Sequence, residues 1–411
     1  PSKIDAVIVT HTHIDHDGAL PIFVRNGYTK NFYMTDAAAC VIDIGLEDSY
    51  NIMVKDSKLK RQKILFSSSD IDMTLKQIKA LKYEESFRIH PNITITFFNN
   101  GHLIGSSIVL VQIDDPKGTI NLLYTGDYKP QNVFLDIKPL PCWVYALPNL
   151  TIITECTYGT TNSWDIEYKW KEDIINACSE NKIIFNNAFG QGRFQELMYR
   201  IRKLEDEGLI PKDYPVKVDG STGIDYTFRY ISHSNVLRIK DEMKSFFPHN
   251  LQFIDNKSRP AVLEDKSGKI IIATSGMGTH GPAATYIPHF LSNPNALIYF
   301  TGYTSEGSTG RTICEANYGD EVHFKNGKIV KKIARVEQTS EFSSHAKADE
   351  IIDFLNMFSP RSILINHGEP SIKTAFEKRV QNETGVKKTG ILGMEYVYRV
   401  NPYGIDKPVK K

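Results

Sequence analysis

An apolar run, Ala6-Val7-Ile8-Val9, ends on His11-Thr12-His13-Ile14-Asp15-His16, and this junction constrains the chain more than any other stretch. Four possible metal ligands stand within six residues, at the end of what reads as a buried strand. With 12 His in 411 residues, three at these fixed offsets arise by chance in roughly 0.01 of such chains. His11 and His13 are two apart, so on extended backbone they point the same way and can share one ion. Asp15 and His16 follow after the chain turns and can serve a second. Imidazole with some carboxylate suits zinc, with manganese or iron as alternatives. Two ions about 3.5–4 Å apart can hold a bridging hydroxide and clamp both oxygens of a phosphoryl displacement.

A chain of 411 residues is long enough for two domains of ordinary size. Hydrophobic residues at 41% and charged residues at 24% describe a globular protein rather than a disordered or fibrous one. Net charge is +1, so any nucleic-acid contact must come from a local patch. The basic run Lys55, Lys58, Lys60, Arg61 and Lys63 could be such a patch, but it reads equally as a solvated surface. Lys407, Lys410 and Lys411 read as a frayed end. Cys40, Cys142, Cys156, Cys178 and Cys314 are scattered and form no CxxC. That argues against a disulfide framework or a thiolate zinc site and predicts a cytoplasmic protein. Neither a signal peptide nor a run of 18 apolar residues occurs, so no membrane partner is expected.

Strands are predicted at 5–10, 92–98, 107–113, 120–125 and 151–155, with a helix over 70–82 capped by Ser69 or Asp70. After residue 160 the texture changes to helix–strand alternation. Helices are expected at about 165–180 and 193–207, and strands at 182–186, 215–218, 269–274 and 296–301. This middle third reads as a separate α/β layer on a parallel sheet. The end of the chain reads as helix 347–357, strand 361–366, helix 370–384 and strand 394–400.

Three further segments repeat the design of strand, turn and ligand type. Gly101-His102-Leu103-Ile104-Gly105 sets a His between turn-forming glycines. Leu123-Tyr124-Thr125-Gly126-Asp127 ends an apolar strand on an Asp, and Ile363-Leu364-Ile365-Asn366-His367 ends another on a His. A lone His after a strand is more often structural than a ligand. Together with the first motif, these segments supply the number of ligands that two ions sharing a carboxylate require.

With these segments in hand, the chain resembles the metallo-β-lactamase-fold hydrolases of the β-CASP group, in the RNA-acting branch that holds the cleavage-and-polyadenylation endonuclease and RNase J-like nucleases. The likeness runs the length of the chain. It implies an α/β fold, a metallo-β-lactamase αββα sandwich with an inserted α/β β-CASP domain. The expected boundaries are 1–158 and 336–411 for the lactamase domain and 159–335 for the insert. Thr154-Glu155-Cys156-Thr157-Tyr158-Gly159 matches the segment that closes the first lactamase part. Gly192-Arg193-Phe194-Gln195-Glu196, Val218-Asp219-Gly220, Ser275-Gly276-Met277 and Phe300-Thr301-Gly302-Tyr303 follow in family order, and Phe342-Ser343-Ser344-His345-Ala346 matches the segment that re-enters the active site. The resemblance implies two zinc ions, or manganese. It assigns His11, His13 and His102 to one ion, Asp15, His16 and His367 to the other, and Asp127 as the bridge.

Phosphodiester cleavage also needs a proton for the leaving oxygen, and a His oriented by a carboxylate can donate it. The resemblance implies that His345 is that acid or a phosphate contact, with Glu155 as its partner; Asp15 and Asp127 complete the expected catalytic set. Ser343 and Ser344, read as preceding a helix that begins near His345, could hold a phosphate or simply cap the helix. Arg193 is a phosphate-binding candidate or the partner of Glu196. His367 is similar to the RNA-acting branch, so the expected function is a zinc-dependent ribonuclease on single-stranded RNA, endonucleolytic, 5′-to-3′ exonucleolytic or both. A DNA nuclease is the alternative within the fold. A small-molecule metallohydrolase would not need an insert of this size lying over the site, and an inactive scaffold would not need every ligand position filled.

Two departures stand out. The family's N-terminal strands, and the Asp that ends one of them, have no counterpart in the ten residues before His11, so the resemblance implies that one sheet lacks edge strands. Lys347 stands where relatives often carry Asp or a small residue. No KH-like or long C-terminal domain is read in the sequence, which leaves the core as the route to a homodimer.

Overall fold

The computed structural model describes residues 1–60, 63–243 and 245–410, without the side chains of residues 59 and 60. The chain divides into two compact units, the first made of Pro1–Asp165, Asn235–Arg238 and the chain from Ser344 on, the second of Ile166–Ser234 and Ile239–Ser343.

The first unit holds two sheets. Strands β1 (Val7–Ile8), β2 (Phe32–Thr35) and β3 (Ile78–Leu81) pair in parallel as a small sheet. Strands β4 (Phe87–His90), β5 (Ile93–Asn99), β6 (Ser107–Ile113), β7 (Ile120–Tyr124) and β8 (Leu150–Thr154) belong to a larger one. The sequence of β5 and β6 shows why the sheets stack. Ile95, Phe97 and Val109 pack with Tyr33 and Leu81 of the small sheet. Their neighbours Phe98, Ile108 and Leu110 pack on the opposite face, with Ile351, Phe354 and Phe376 of two C-terminal helices. Successive strand residues alternate between faces, so strands buried on both sides must be apolar nearly throughout. The small sheet is covered in turn by Leu20, Val24, Ile42, Leu46 and Ile71 from helices. The result is an αββα sandwich.

The second unit is a parallel sheet of β9 (Ile183–Asn187), β10 (Val216–Asp219), β11 (Leu251–Ile254), β12 (Lys269–Ala273), β13 (Ala296–Phe300) and, after the hairpin β14 (Glu321–His323) and β15 (Ile329–Lys331), β16 (Arg335–Gln338). The helix Arg193–Asp206 buries Phe194, Leu197, Met198, Ile201 and Leu204 along one face, at the spacing of an amphipathic helix. Because β16 pairs with β13, this unit runs on to Ser343 rather than ending at 335, and it opens at Ile166 rather than 159. The chain then returns to the larger sheet of the first unit through β17 (Ser362–Ile365) and β18 (Thr389–Ile391), giving the order β18-β17-β8-β7-β6-β5-β4.

Several elements differ from their sequence reading. The helix expected over 70–82 spans Ser68–Lys76, because Ser67 caps it in a reciprocal box with Asp70; Ile78–Leu81 leaves the helix to pair with β2. The long helix Ile42–Lys60 has no sequence forecast, since Gly45 and a polar second half hide its periodicity. The helix expected to begin near His345 begins at Ala348. The last strand reduces to Tyr396–Val397 and Val400–Asn401. In the basic run, Lys55, Lys58 and Lys63 are exposed; Arg61 and Lys411, and the Lys60 side chain, lie outside the described residues. Among the described residues no helix is long and apolar enough to cross a membrane.

Candidate metal centre

All the polar strand ends named above that belong to the first unit converge. Beyond β1 the chain stays extended to His13 (φ −78°, ψ 143°) and then turns into a short helix, Ile14–Asp17, which carries Asp15 and His16. His102 lies in the turn between β5 and β6. Gly101 there has φ +76°, and a Cβ on it would stand 2.1 Å from the Lys129 carbonyl oxygen, so only glycine fits. Asp127 follows β7 through Gly126, another left-handed residue (φ +57°). His367 follows β17 with φ +35°, a conformation an L side chain adopts only when its surroundings over-determine it, as they do at functional sites.

Three groups of side chains lie close enough to hold an ion: His11, His13, His102 and Asp127; Asp15, His16 and His367; and Asp127, Glu155, His345 and His367. The first two are the ligand groups that the sequence suggests. Asp127 joins them. Its Oδ2 lies 3.4 Å from His16 Nε2, 3.5 Å from His11 Nε2 and 3.7 Å from His102 Nε2, while its Oδ1 is 3.4 Å from His367 Nδ1. Asp15 Oδ2 is 3.6 Å from both His16 Nε2 and His367 Nε2.

Buried polar atoms without partners are rare and call for an explanation. His11 Nε2 and Asp127 Oδ1 are two of them, buried with no hydrogen-bond partner. A bound cation would satisfy both, and this donor set suits zinc or manganese. Burial drives His11 and His102 well below the usual histidine range and His13 down to about 4. The three rings are therefore neutral at neutral pH, the form a metal binds. Burial alone would raise the Asp127 carboxyl, but the contact from His16 and the surrounding imidazoles outweigh it and hold it well below the ordinary range. His367 behaves differently. Burial lowers it, yet the hydrogen bond with Asp15 and the nearby carboxylates raise it to about 9. A cation taking that ring must displace a proton, so metal affinity falls with falling pH.

Glu155 follows β8 and is buried. Its carboxylate accepts from the Tyr128 N–H at 2.6 Å and the Thr157 N–H at 3.2 Å. It also pairs with His345 Nδ1, 2.8 Å from Oε2. This fixes the tautomer and leaves Nε2 as the nitrogen toward the ligand groups, 4.0 Å from Asp127 Oδ2. The ring stacks on His367 at 5.7 Å between centroids. Burial would lower the His345 pKa, but the charge and hydrogen bond of Glu155 raise it above the ordinary histidine value.

The proposed phosphate contacts are placed differently. Arg193, in the second unit, is buried; it donates to the Phe342 carbonyl, lies over the Phe342 ring at 5.4 Å and has Nε 4.0 Å from Glu196. Ser343 and Ser344 precede the Lys347 N-cap by several residues, so neither sits on the first turn of that helix. Ser344 acts instead through its carbonyl, 2.9 Å from His102 Nδ1, which directs His102 Nε2 to the ligand group. Lys347 donates its N–H to Glu350 and sets its ammonium 3.3 Å from the centroid of the Tyr158 ring.

Sequence reading passed over the supporting shell. Thr10 Oγ1 is 3.0 Å from His11 Nδ1, and Thr157 Oγ1 is 3.0 Å from His367 Nδ1. Asn100 ties two ligand turns together. Its Nδ2 donates to the Thr125 and Asp127 carbonyls at 2.8 and 2.6 Å, and its Oδ1 accepts from the His102 N–H at 3.2 Å. The only signal for such residues is proximity in sequence to a ligand. Asn100→Ala should lower metal affinity by about 10–100-fold while the fold persists; competition with a colorimetric chelator measures it, and unchanged affinity would remove Asn100 from this role.

An αββα sandwich with these polar strand ends, interrupted by a parallel α/β unit, is the metallo-β-lactamase fold, and the chain belongs to the β-CASP group of that superfamily. A metallo-beta-lactamase superfamily domain matches residues 1–132, a Beta-Casp domain 194–313 and a Zn-dependent metallo-hydrolase RNA specificity domain 329–390. The transcription termination factor FttA of Methanosarcina mazei is 29% identical over 413 residues, covering 96% of this chain and 63% of the relative. FttA of Methanococcus maripaludis is 31% identical over 386 residues, 90% of this chain and 59% of the relative. The RNase J-like protein of Methanocaldococcus jannaschii is 28% identical over 380 residues, 89% and 82%. The chain thus spans about three fifths of the length of the FttA proteins it matches.

Proposed function

We propose that this chain carries the catalytic part of a zinc-dependent ribonuclease that hydrolyses phosphodiester bonds in single-stranded RNA. One observation carries the reading: two ligand groups meet at Asp127, and the His345–Glu155 pair faces the same carboxylate. His11, His13 and His102 would hold one ion, Asp15, His16 and His367 the second, with Asp127 shared. Ions so held would supply an activated water at neutral pH and charge neutralisation for a phosphoryl group. His345, its pKa raised and its ring oriented by Glu155, donates the proton that the leaving oxygen needs. Glu155, itself fixed by two backbone N–H groups, holds the ring in register. The RNA specificity domain over 329–390 and relatives named for transcription termination and RNase J favour RNA as the polymer.

Protein purified without chelator should contain close to two equivalents of zinc or manganese by elemental analysis and should cleave a 5′-labelled RNA. Extended treatment with EDTA should abolish cleavage, and added zinc should restore it. Metal-free protein that cleaves at full rate would contradict the proposal.

A further inference from the structure

The second unit ends three neighbouring strands at one level. In the parallel register Asn187 of β9 stands opposite Ala273 of β12 on one side and Phe300 of β13 on the other. The chain goes from β9 to β10 on one side of the sheet and from β13 to β16 on the other. Two adjacent strands whose connections leave in opposite directions make a topological switch point, where open parallel sheets take ligands beyond their carboxyl ends.

Phe189 stands there, two residues past β9 and 38% exposed. Its ring rests on backbone. A Cβ on Gly276 would come within 2.6 Å of it, and one on Gly302 within 3.7 Å. Glycine at these two positions gives the ring a flat seat, and the seat is pinned. Asn187 Nδ2 donates to the Gly276 carbonyl at 2.8 Å, Gln338 Nε2 to the Gly302 carbonyl at 3.0 Å, and Thr301 Oγ1 to the Asn187 carbonyl at 2.7 Å. The Arg193 guanidinium borders the same glycine, with Nη1 3.4 Å from where a Gly302 Cβ would stand. Neither sheet pairing nor either packed face of the sheet requires an aromatic ring held open to solvent at this edge. A flat ligand with a π-face would use the exposed ring.

We propose that Phe189 is a stacking platform for one nucleobase of single-stranded RNA at the carboxyl edge of the second unit. The proposal rests on the RNA reading above. Stacking on an aromatic ring tolerates any base, because every base has a π-face, so the platform registers the strand without reading its sequence.

The test walks a single abasic ribose along a 5′-labelled single-stranded RNA and measures cleavage by the metal-loaded protein and three variants. Phe189→Ala should raise KM by about tenfold with kcat nearly unchanged, since the lost contact is equal in ground and transition states. Phe189→Leu, which keeps apolar packing on the two glycines, should behave like Phe189→Ala, whereas Phe189→Trp should match the wild type. At one position the abasic ribose should raise the wild-type KM by a similar factor and add nothing in Phe189→Ala. Wild-type protein that cleaves RNA but responds identically to Phe189→Ala at every abasic position overturns the platform and leaves the RNA reading intact. Wild-type protein that cleaves no RNA overturns the RNA reading, and the platform with it.

Discussion

Asp127→Ala is expected to abolish phosphodiester cleavage and to lower bound metal below two equivalents. The carboxylate lies within 3.4–3.7 Å of imidazole nitrogens from both ligand groups. Its removal leaves His11, His102, His16 and His367 without the carboxylate that all four approach. Metal-assisted charge stabilisation is worth several kcal/mol, so the expected loss exceeds about a thousandfold, at 1.4 kcal/mol per tenfold. Elemental analysis alongside a cleavage assay, with circular dichroism to confirm the fold, makes the measurement. A variant that keeps both metals and most of its activity would show that Asp127 does not bridge.

His345→Ala should give the opposite pattern, with metal content kept and cleavage slowed by roughly 10²–10⁴-fold, the range of a lost general acid. The ring's Nδ1 is occupied by Glu155 and its Nε2 lies 4.0 Å from Asp127, so it can serve the reaction without serving as a ligand. The pH profile separates this role from a structural one. Because Glu155 raises the His345 pKa, the acid form persists above the usual histidine range and wild-type cleavage should fall as pH rises through that raised value. In His345→Ala that alkaline limb should vanish. Loss of metal from the variant would move His345 into the ligand set.

Much of this candidate site is legible in the sequence because the residues proposed as ligands sit at strand ends, where an apolar run and a polar terminus are both visible. His11 to His16 follow one such run, and Asp127 and His367 end two others. The β5 and β6 strands are equally visible, since burial on both faces demands apolar residues throughout. What remained hidden depends on contacts across long separations. Asn100 and Thr157 are ordinary polar residues until the fold brings the Asp127 carbonyl and His367 Nδ1 to them. Ile78–Leu81 carries a helical pattern with Leu75, and pairing with Phe32–Thr35 overrides it, as tertiary context does with weak local preference. Ser343 and Ser344 precede a helix in sequence, but the turn through His345 and Lys347 displaces the helix start to Ala348, so a capping or phosphate-binding role could not be placed from spacing alone.

The central claim is that the centre built on Asp127 acts on RNA. Its most direct test is side-by-side digestion of single-stranded RNA and DNA of matched sequence by the zinc-loaded protein, with chelated protein and Asp127→Ala as controls. The account predicts cleavage of the RNA well ahead of the DNA, absent in both controls. Equal or faster cleavage of the DNA would contradict it.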